Sequence, residues 1–257
     1  MIKLPNPVEV RERLKNLSTT PKESAPKYNI IKLHNDAINA TRNETVQSMA
    51  LVKFGELIHP HLHNANVKKL HIGWNVRYKS LTFSLFDKDE LKSHIIRHSV
   101  NPDGEVIKWR TFGSKTFTPS RITDHETPLY VSSGIGEYVL FELMGVDYIV
   151  PQCDSVTSGI TPVMIEACEG RVIVYLQDND DSARKLGDKL QELFKKSYFV
   201  VIDFERVHDE ELPKGYDFRD FCNDMAIKYQ SRGWEAIESM IQKEIRVNTS
   251  ERGGGNV

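Results

Sequence analysis

Residues 171–183, Arg171-Val-Ile-Val-Tyr-Leu-Gln-Asp-Asn-Asp-Asp-Ser-Ala183, decide how the second half of the chain is read. Val172 to Leu176 is apolar at every position, so both of its faces need cover, as in a strand inside a parallel sheet. The run stops on Asp178-Asn179-Asp180-Asp181. A helical pattern then follows, with Ala183, Leu186, Leu190, Leu193 and Phe194 on one face and Ser182 placed to cap it. Asp178 and Asp180 leave the strand end at alternate positions, where their carboxylates can point the same way. Crowded acids repel unless a cation or solvent screens them, and a hard divalent ion with oxygen ligands fits such a pair. The bland alternative is a solvated acidic turn that only starts a helix.

Working outward, similar strand and helix units stand on either side. Leu129–Val131 is a short apolar strand, Gly134 to Gly136 a tight turn, and Glu137–Met144 a helix closed by Gly145. Asp147 to Pro151 and Tyr198 to Ile202 read as two further strands. Alternation of this kind predicts a parallel sheet with crossover helices, whose ligands lie beyond the carboxyl ends of the strands. The first turn, Val131-Ser-Ser-Gly-Ile-Gly-Glu-Tyr-Val139, holds a G-x-G but has Val139 where a dinucleotide fingerprint needs a third small residue. Glu137 opens the helix after that turn and suits its dipole; if the first and third strands are neighbours, it also lies near Asp178. A third segment, Leu212-Pro-Lys-Gly-Tyr-Asp217-Phe-Arg-Asp220-Phe, runs from a Lys-Gly turn into a helix whose start carries two carboxylates.

The first half is different in charge and in period. Residues 1–121 carry 20 Lys and Arg against 11 Asp and Glu, leaving +9, whereas residues 122–257 carry 14 against 25, leaving −11. That asymmetry predicts a basic half that meets polyanions and an acidic half that meets cations. A helix is expected over about 43–58, after an arm over residues 5–17 and a Ser/Thr/Pro/Lys linker over 18–26. From Leu70 to Ile122 the period falls to two, with Asn101-Pro-Asp-Gly104 as a turn, so a small antiparallel sheet is expected. Arg97, Lys108, Trp109, Arg110 and Lys115 mix cations with an aromatic ring in this region, a combination suited to single strands, whose bases stack while their phosphates pair. A half-buried sheet with an incidentally basic outer face fits the same residues.

Other features exclude more than they assign. No apolar run approaches the roughly 20 residues of a membrane span, and residues 1–15 are dense in charge where a secretory signal would be apolar. A cytoplasmic protein with no membrane partner is expected. Cys153, Cys168 and Cys222 are scattered and form neither a disulfide framework nor C-x-x-C pairs. His59, His61, His63 and His71 have His-x-His spacing but no persuasive fourth ligand, which favours a polar loop over a metal site.

The three acidic segments together resemble the TOPRIM domain of bacterial and phage primases. Val131 to Gly145 looks like its opening turn and helix, Asp178-Asn-Asp-Asp-Ser-Ala like its Asp-x-Asp motif, and Pro213-Lys-Gly-Tyr-Asp-Phe-Arg-Asp-Phe like the Lys-Gly-x-Asp segment that follows. The resemblance covers about 100 residues; more faintly, residues 80–98 resemble the basic sheet that precedes TOPRIM in primases. It implies an α/β fold in which a TOPRIM-like parallel sheet follows a smaller basic α+β domain. The boundaries expected are a helical arm and helices over 1–69, a β-rich subdomain over 70–127, the TOPRIM-like domain over 128–226, and a helix with a flexible tail over 227–257.

The resemblance also implies Mg²⁺ or Mn²⁺ as cofactor, with Glu137, Asp178, Asp180 and Asp181 as ligands, and primer synthesis on single-stranded DNA from nucleotide triphosphates. Glu137, Asp178 and Asp180 would then be catalytic, Ser133, Lys214 and Asp217 would meet nucleotide phosphates, and a replicative helicase is a candidate partner. Two alternatives stay open, a TOPRIM nuclease and a nucleic-acid-binding replication accessory protein with altered chemistry. The departure that feeds the second is Ser133, which stands where the family pattern has the glutamate that acts as acid or base. No zinc-binding cysteine module and no G-x-x-x-x-G-K-[ST] helicase motif occurs in the sequence.

Overall fold

The structure is a computed structural model that describes residues 29–58, 70–100, 106–123, 126–153, 157–205 and 211–229, with isolated positions 239, 242 and 243. The expected arm and linker, His59, His61 and His63, the 101–104 turn, most of the last helix and the tail lie outside the described residues.

Two helices open the described chain, α1 (Ile30–Ala40) and α2 (Glu44–Leu57), each started by an asparagine side chain, Asn29 or Asn43, that accepts a backbone N–H three residues on. An antiparallel sheet follows in the order β1 (Ile72–Asn75), β2 (Ser80–Asp87), β3 (Glu90–Val100), β4 (Val106–Gly113). Strand alternation sends Leu81, Phe83, Leu85 and Ile95 to one face, where they join Ala50, Phe54 and Leu57 of α2 in an apolar core. The opposite face carries Thr82, Ser84 and His94 and meets α1, whose His34 is 2.8 Å from Ser84 Oγ. Because helices cover both faces, Ser80 to Leu85 is buried throughout despite its alternating polarity.

The second sheet has the order β5 (Ser120–Arg121), β7 (Asp147–Ile149), β6 (Leu129–Val131), β8 (Val172–Gln177), β9 (Tyr198–Asp203). β6, β7, β8 and β9 are parallel, and β5 adds an antiparallel edge. The first and third of the strands read from the sequence are neighbours, with Tyr130 paired to Val174. Helices α3 (Ile135–Met144) and α6 (Phe218–Tyr229) cover one face through Val139, Phe141, Phe218 and Phe221. Helix α5 (Asp181–Leu193) covers the other through Leu186 and Leu190, beside the short helix α4 (Pro162–Glu166). The result is the α/β class expected, a mostly parallel sheet after a smaller antiparallel one. One apolar cluster runs from α2 and β2 through to α3, β8 and α6, so the two sheets share a core.

At the amino ends of the parallel strands Arg171 and Asp147 form a buried ion pair of 2.7 Å, their side chains 1% and 4% exposed. Thr123 completes Asp147 through its N–H and hydroxyl, and Thr127 accepts from Arg171, so the charges are hydrogen-bonded as well as paired.

Candidate functional site between the two sheets

A cavity of about 310 Å³ opens at the carboxyl ends of β6 and β8. Ser133, Glu137, Asp178, Asp180 and Asp217 line it from the parallel-sheet side, and Trp109 and Thr111 face them from β4, with Lys108 at the edge. Residues drawn from four separate stretches of sequence thus share one space, at the place where a parallel sheet puts its ligands.

The local chain explains each position. Gly134 has φ of 102°, which lets the backbone turn sharply from β6 into α3, and its N–H donates to Pro151 O at 2.9 Å. Asp180 is extended and caps α5, accepting the Ala183 N–H at 2.8 Å. The cap is therefore Asp180 rather than Ser182, because the helix begins two residues earlier than a cap at Ser182 implies. Asp181 falls in the first turn of α5, 84% exposed and 3.2 Å from Arg184, and does not line the cavity. Asn179 ties the strand end to the 211–217 segment: its N–H donates to Tyr216 O, its carbonyl accepts from Gly215, and its amide donates to Glu205 Oε1 and Leu212 O. Lys214 is exposed in that turn, and Gly215 reaches the cavity in its stead.

The floor of the cavity holds a residue that sequence reading did not single out. Arg219, in the first turn of α6, donates from Nε to Glu137 Oε1 at 2.8 Å and from Nη2 to Asp217 Oδ2. Asp217 also accepts the N–H groups of Arg219 and Asp220 at 2.8 and 3.1 Å, and Asp220 returns the contact to the Asp217 N–H, which is a reciprocal helix cap. Gly136 is what lets this happen. A Cβ there would stand 2.8 Å from Arg219 Cδ and 2.9 Å from Nε, so the absent side chain leaves the channel along which the guanidinium lies. The G-x-G of this turn thus serves a sharp bend and a buried ion pair.

Burial pushes the Glu137 carboxyl above its ordinary pKa; Arg219 pulls it back and Asp217 pushes it further up. Burial opposes the charge on Arg219, but Glu137 and Asp217 more than offset that and raise its pKa. Asp220 is raised by burial and by Asp217.

The expected nucleic-acid residues divide. Trp109 is half-buried with the Arg97 guanidinium 5.6 Å from its ring, on the face toward the cavity, and Lys108 is exposed at the cavity edge. Arg110 belongs to the other face of β4, 5.1 Å from the Phe112 ring, and Lys115 is exposed in the turn beyond β4; neither lines the cavity. Consecutive strand residues point to opposite faces, which is why Trp109 and Arg110 separate.

Among the described residues no group of three or more His, Cys, Asp or Glu side chains is arranged to hold a metal ion. Glu137 and Asp217 are engaged by Arg219. Asp178 and Asp180, half-buried on the cavity wall, have the chemistry that a largely hydrated Mg²⁺ takes from a protein, one or two carboxylates. His71 packs against His34 and Phe86, away from the cavity lining.

Fold and site define a mixed α/β protein with a partly basic antiparallel sheet facing an acidic strand-end cavity. No family model and no curated protein matches the chain. Among solved structures it is similar to the primase fragment of the bacteriophage T7 primase-helicase protein, with 15% sequence identity and a TM-score of 0.45 over 67% of this chain and 69% of that one. No described helix is long and apolar enough to cross a membrane.

Proposed function

We propose that the chain is a TOPRIM-type, primase-like nucleotidyltransferase that joins nucleotides on a single-stranded DNA template with the help of Mg²⁺ or Mn²⁺. The observation that carries this reading is the shared cavity, in which an aromatic ring of β4 faces the carboxylates at the ends of β6 and β8 and a lysine stands at the edge. Asp178 and Asp180 would hold the ion, which when bound neutralises phosphate charge. Trp109 offers a face for a base, and Lys108 a cation for the phosphate beside it. The N–H groups at the start of α3 and the Ser133 hydroxyl suit phosphate oxygens. Glu137, fixed at the cavity floor by Arg219, is the candidate proton acceptor.

The test is incubation with single-stranded DNA, labelled nucleotides and Mg²⁺ or Mn²⁺. The wild type is expected to lengthen product strands, and Asp178→Ala/Asp180→Ala to lower the yield at least a hundredfold. Shortening of a labelled strand by the wild type would instead identify a nuclease. Equal yields from both proteins would remove the assigned site.

A second reading, a replication accessory protein that binds single strands without turnover, draws on Ser133 in the family's glutamate position and on Glu137 already being paired with Arg219. Tight DNA binding without product in either metal would favour it.

A further inference from the structure

We propose that Arg219 is a built-in cation that takes the place of a metal ion at Glu137 and Asp217, so that Glu137 is no metal ligand and any ion is confined to Asp178 and Asp180. The inference rests on the metal-site reading above. Glu137 is 3% exposed and Asp217 8% exposed, so both charges need a partner inside the protein. Arg219 supplies it to both at once, from Nε to Glu137 and from Nη2 to Asp217. The Glu137 carboxylate also accepts its own backbone N–H.

A divalent ion on Glu137 would have to approach to about 2.1 Å, into space that a guanidinium nitrogen 2.8 Å from Oε1 already holds, and against that nitrogen's positive charge. The seat of Arg219 is also built into the backbone. Gly136 clears a channel for its stem, and Asp217 fixes the first turn of α6 from which it projects. A planar fork bound to two carboxylates stays in one geometry, whereas an exchangeable ion would need a hydration shell that this floor does not offer. Arg219 is therefore a positioning residue, acting through Glu137.

The test counts ions without calling on turnover. Mn²⁺ is titrated against the full chain and followed by electron paramagnetic resonance and by calorimetry. The wild type is expected to bind one ion. Glu137→Gln, which keeps shape and removes charge, should leave the count the same and lower the affinity by less than tenfold. Arg219→Ala should gain a second ion or bind the first at least tenfold more tightly. A tenfold loss of Mn²⁺ affinity in Glu137→Gln, or an Arg219→Ala protein that is folded by circular dichroism yet binds Mn²⁺ as the wild type does, would overturn the inference. If Arg219→Ala does not fold, Glu137→Gln decides alone. An ion held by Arg219→Ala and none by the wild type would support Arg219 as the built-in cation while removing the ion from Asp178 and Asp180, so the two readings fail separately.

Discussion

Alanine at Gly136 should weaken the protein, although replacing a helical glycine with alanine ordinarily stabilises by about 0.5–1 kcal/mol. Gly136 lies in the first turn of α3, and the three atoms nearest to a Cβ there, at 2.8, 2.9 and 3.0 Å, all belong to Arg219. Ordinary contact begins near 3.4 Å, so the side chain must retreat by about 0.6 Å. The Nε atom among them donates the 2.8 Å bond to Glu137, and that retreat stretches the bond to the edge of hydrogen-bonding range. Losing a hydrogen bond to a charged, buried carboxylate costs about 1.5–3 kcal/mol, which outweighs the helix gain and leaves a net loss of about 1–2 kcal/mol. For a chain of this size that is a fall in melting temperature of about 2–8 °C. The control is the same change in a Glu137→Gln/Arg219→Ala background, where the obstructing atoms and the charge they neutralise are both gone. There Gly136→Ala should raise the melting temperature. Calorimetric scans of the four proteins give the cycle, and an alanine that stabilises both backgrounds, or destabilises both equally, refutes the steric argument.

Asp147→Ala strands the Arg171 guanidinium in the interior and should cost about 3–5 kcal/mol, whereas Asp147→Leu/Arg171→Met should cost less; denaturant titrations that rank them the other way would show that the pair is not the cause. His94, buried and hydrogen-bonded through Ser84 to His34, has its pKa pushed down to about 4 by burial and then by His34. The unfolded chain therefore binds more protons than the folded one between about pH 6.5 and 4, and stability contributed by neutral His94 is whole above that window and lost as pH falls through it, about 3 kcal/mol in all. His94→Gln should flatten that segment of the stability profile, and an unchanged slope would assign the acid loss elsewhere. Lys108→Ala should lower the salt slope of single-stranded DNA binding by about 0.7, one phosphate contact, as read by fluorescence anisotropy from low to moderate salt; an unaltered slope would take Lys108 off the strand.

What the sequence disclosed followed the periodicities that burial imposes. Val172 to Leu176 announced β8 because a strand covered on both faces has no polar position to spare, and the acids at its end followed from where parallel sheets keep their ligands. Helix α1 went unread although Ile30, Leu33, Ala37 and Ile38 keep helical spacing, and its presence is what buries the alternating strand β2 on the side expected to be open. The Glu137–Arg219 contact joins residues 82 apart and depends on the missing side chain at Gly136, so no local pattern announces it. Its one trace was a basic residue set between Asp217 and Asp220 at a helix start. Arg110 and Trp109 read as one basic and aromatic patch until the pleat assigned them to opposite faces.

The charge on the cavity wall bears on Ser133. Glu137, Asp178, Asp180 and Asp217 line it against Lys108 and Arg219, which leaves two negative charges, the complement of one divalent ion. A carboxylate at position 133, now 9% exposed, would be a third charge without a partner, since Arg219 is already shared between two acids. Ser133→Glu should therefore melt below the wild type in chelator and recover at millimolar Mg²⁺ or Mn²⁺, giving a dependence of stability on metal much steeper than that of the native chain. A gain in strand extension by Ser133→Glu over the native chain would accompany the recovery if the serine is what limits chemistry. A variant whose melting temperature is indifferent to metal would mean that position 133 does not share the electrostatic field of the Asp178 and Asp180 pair, and the charge argument for a single ion would go with it.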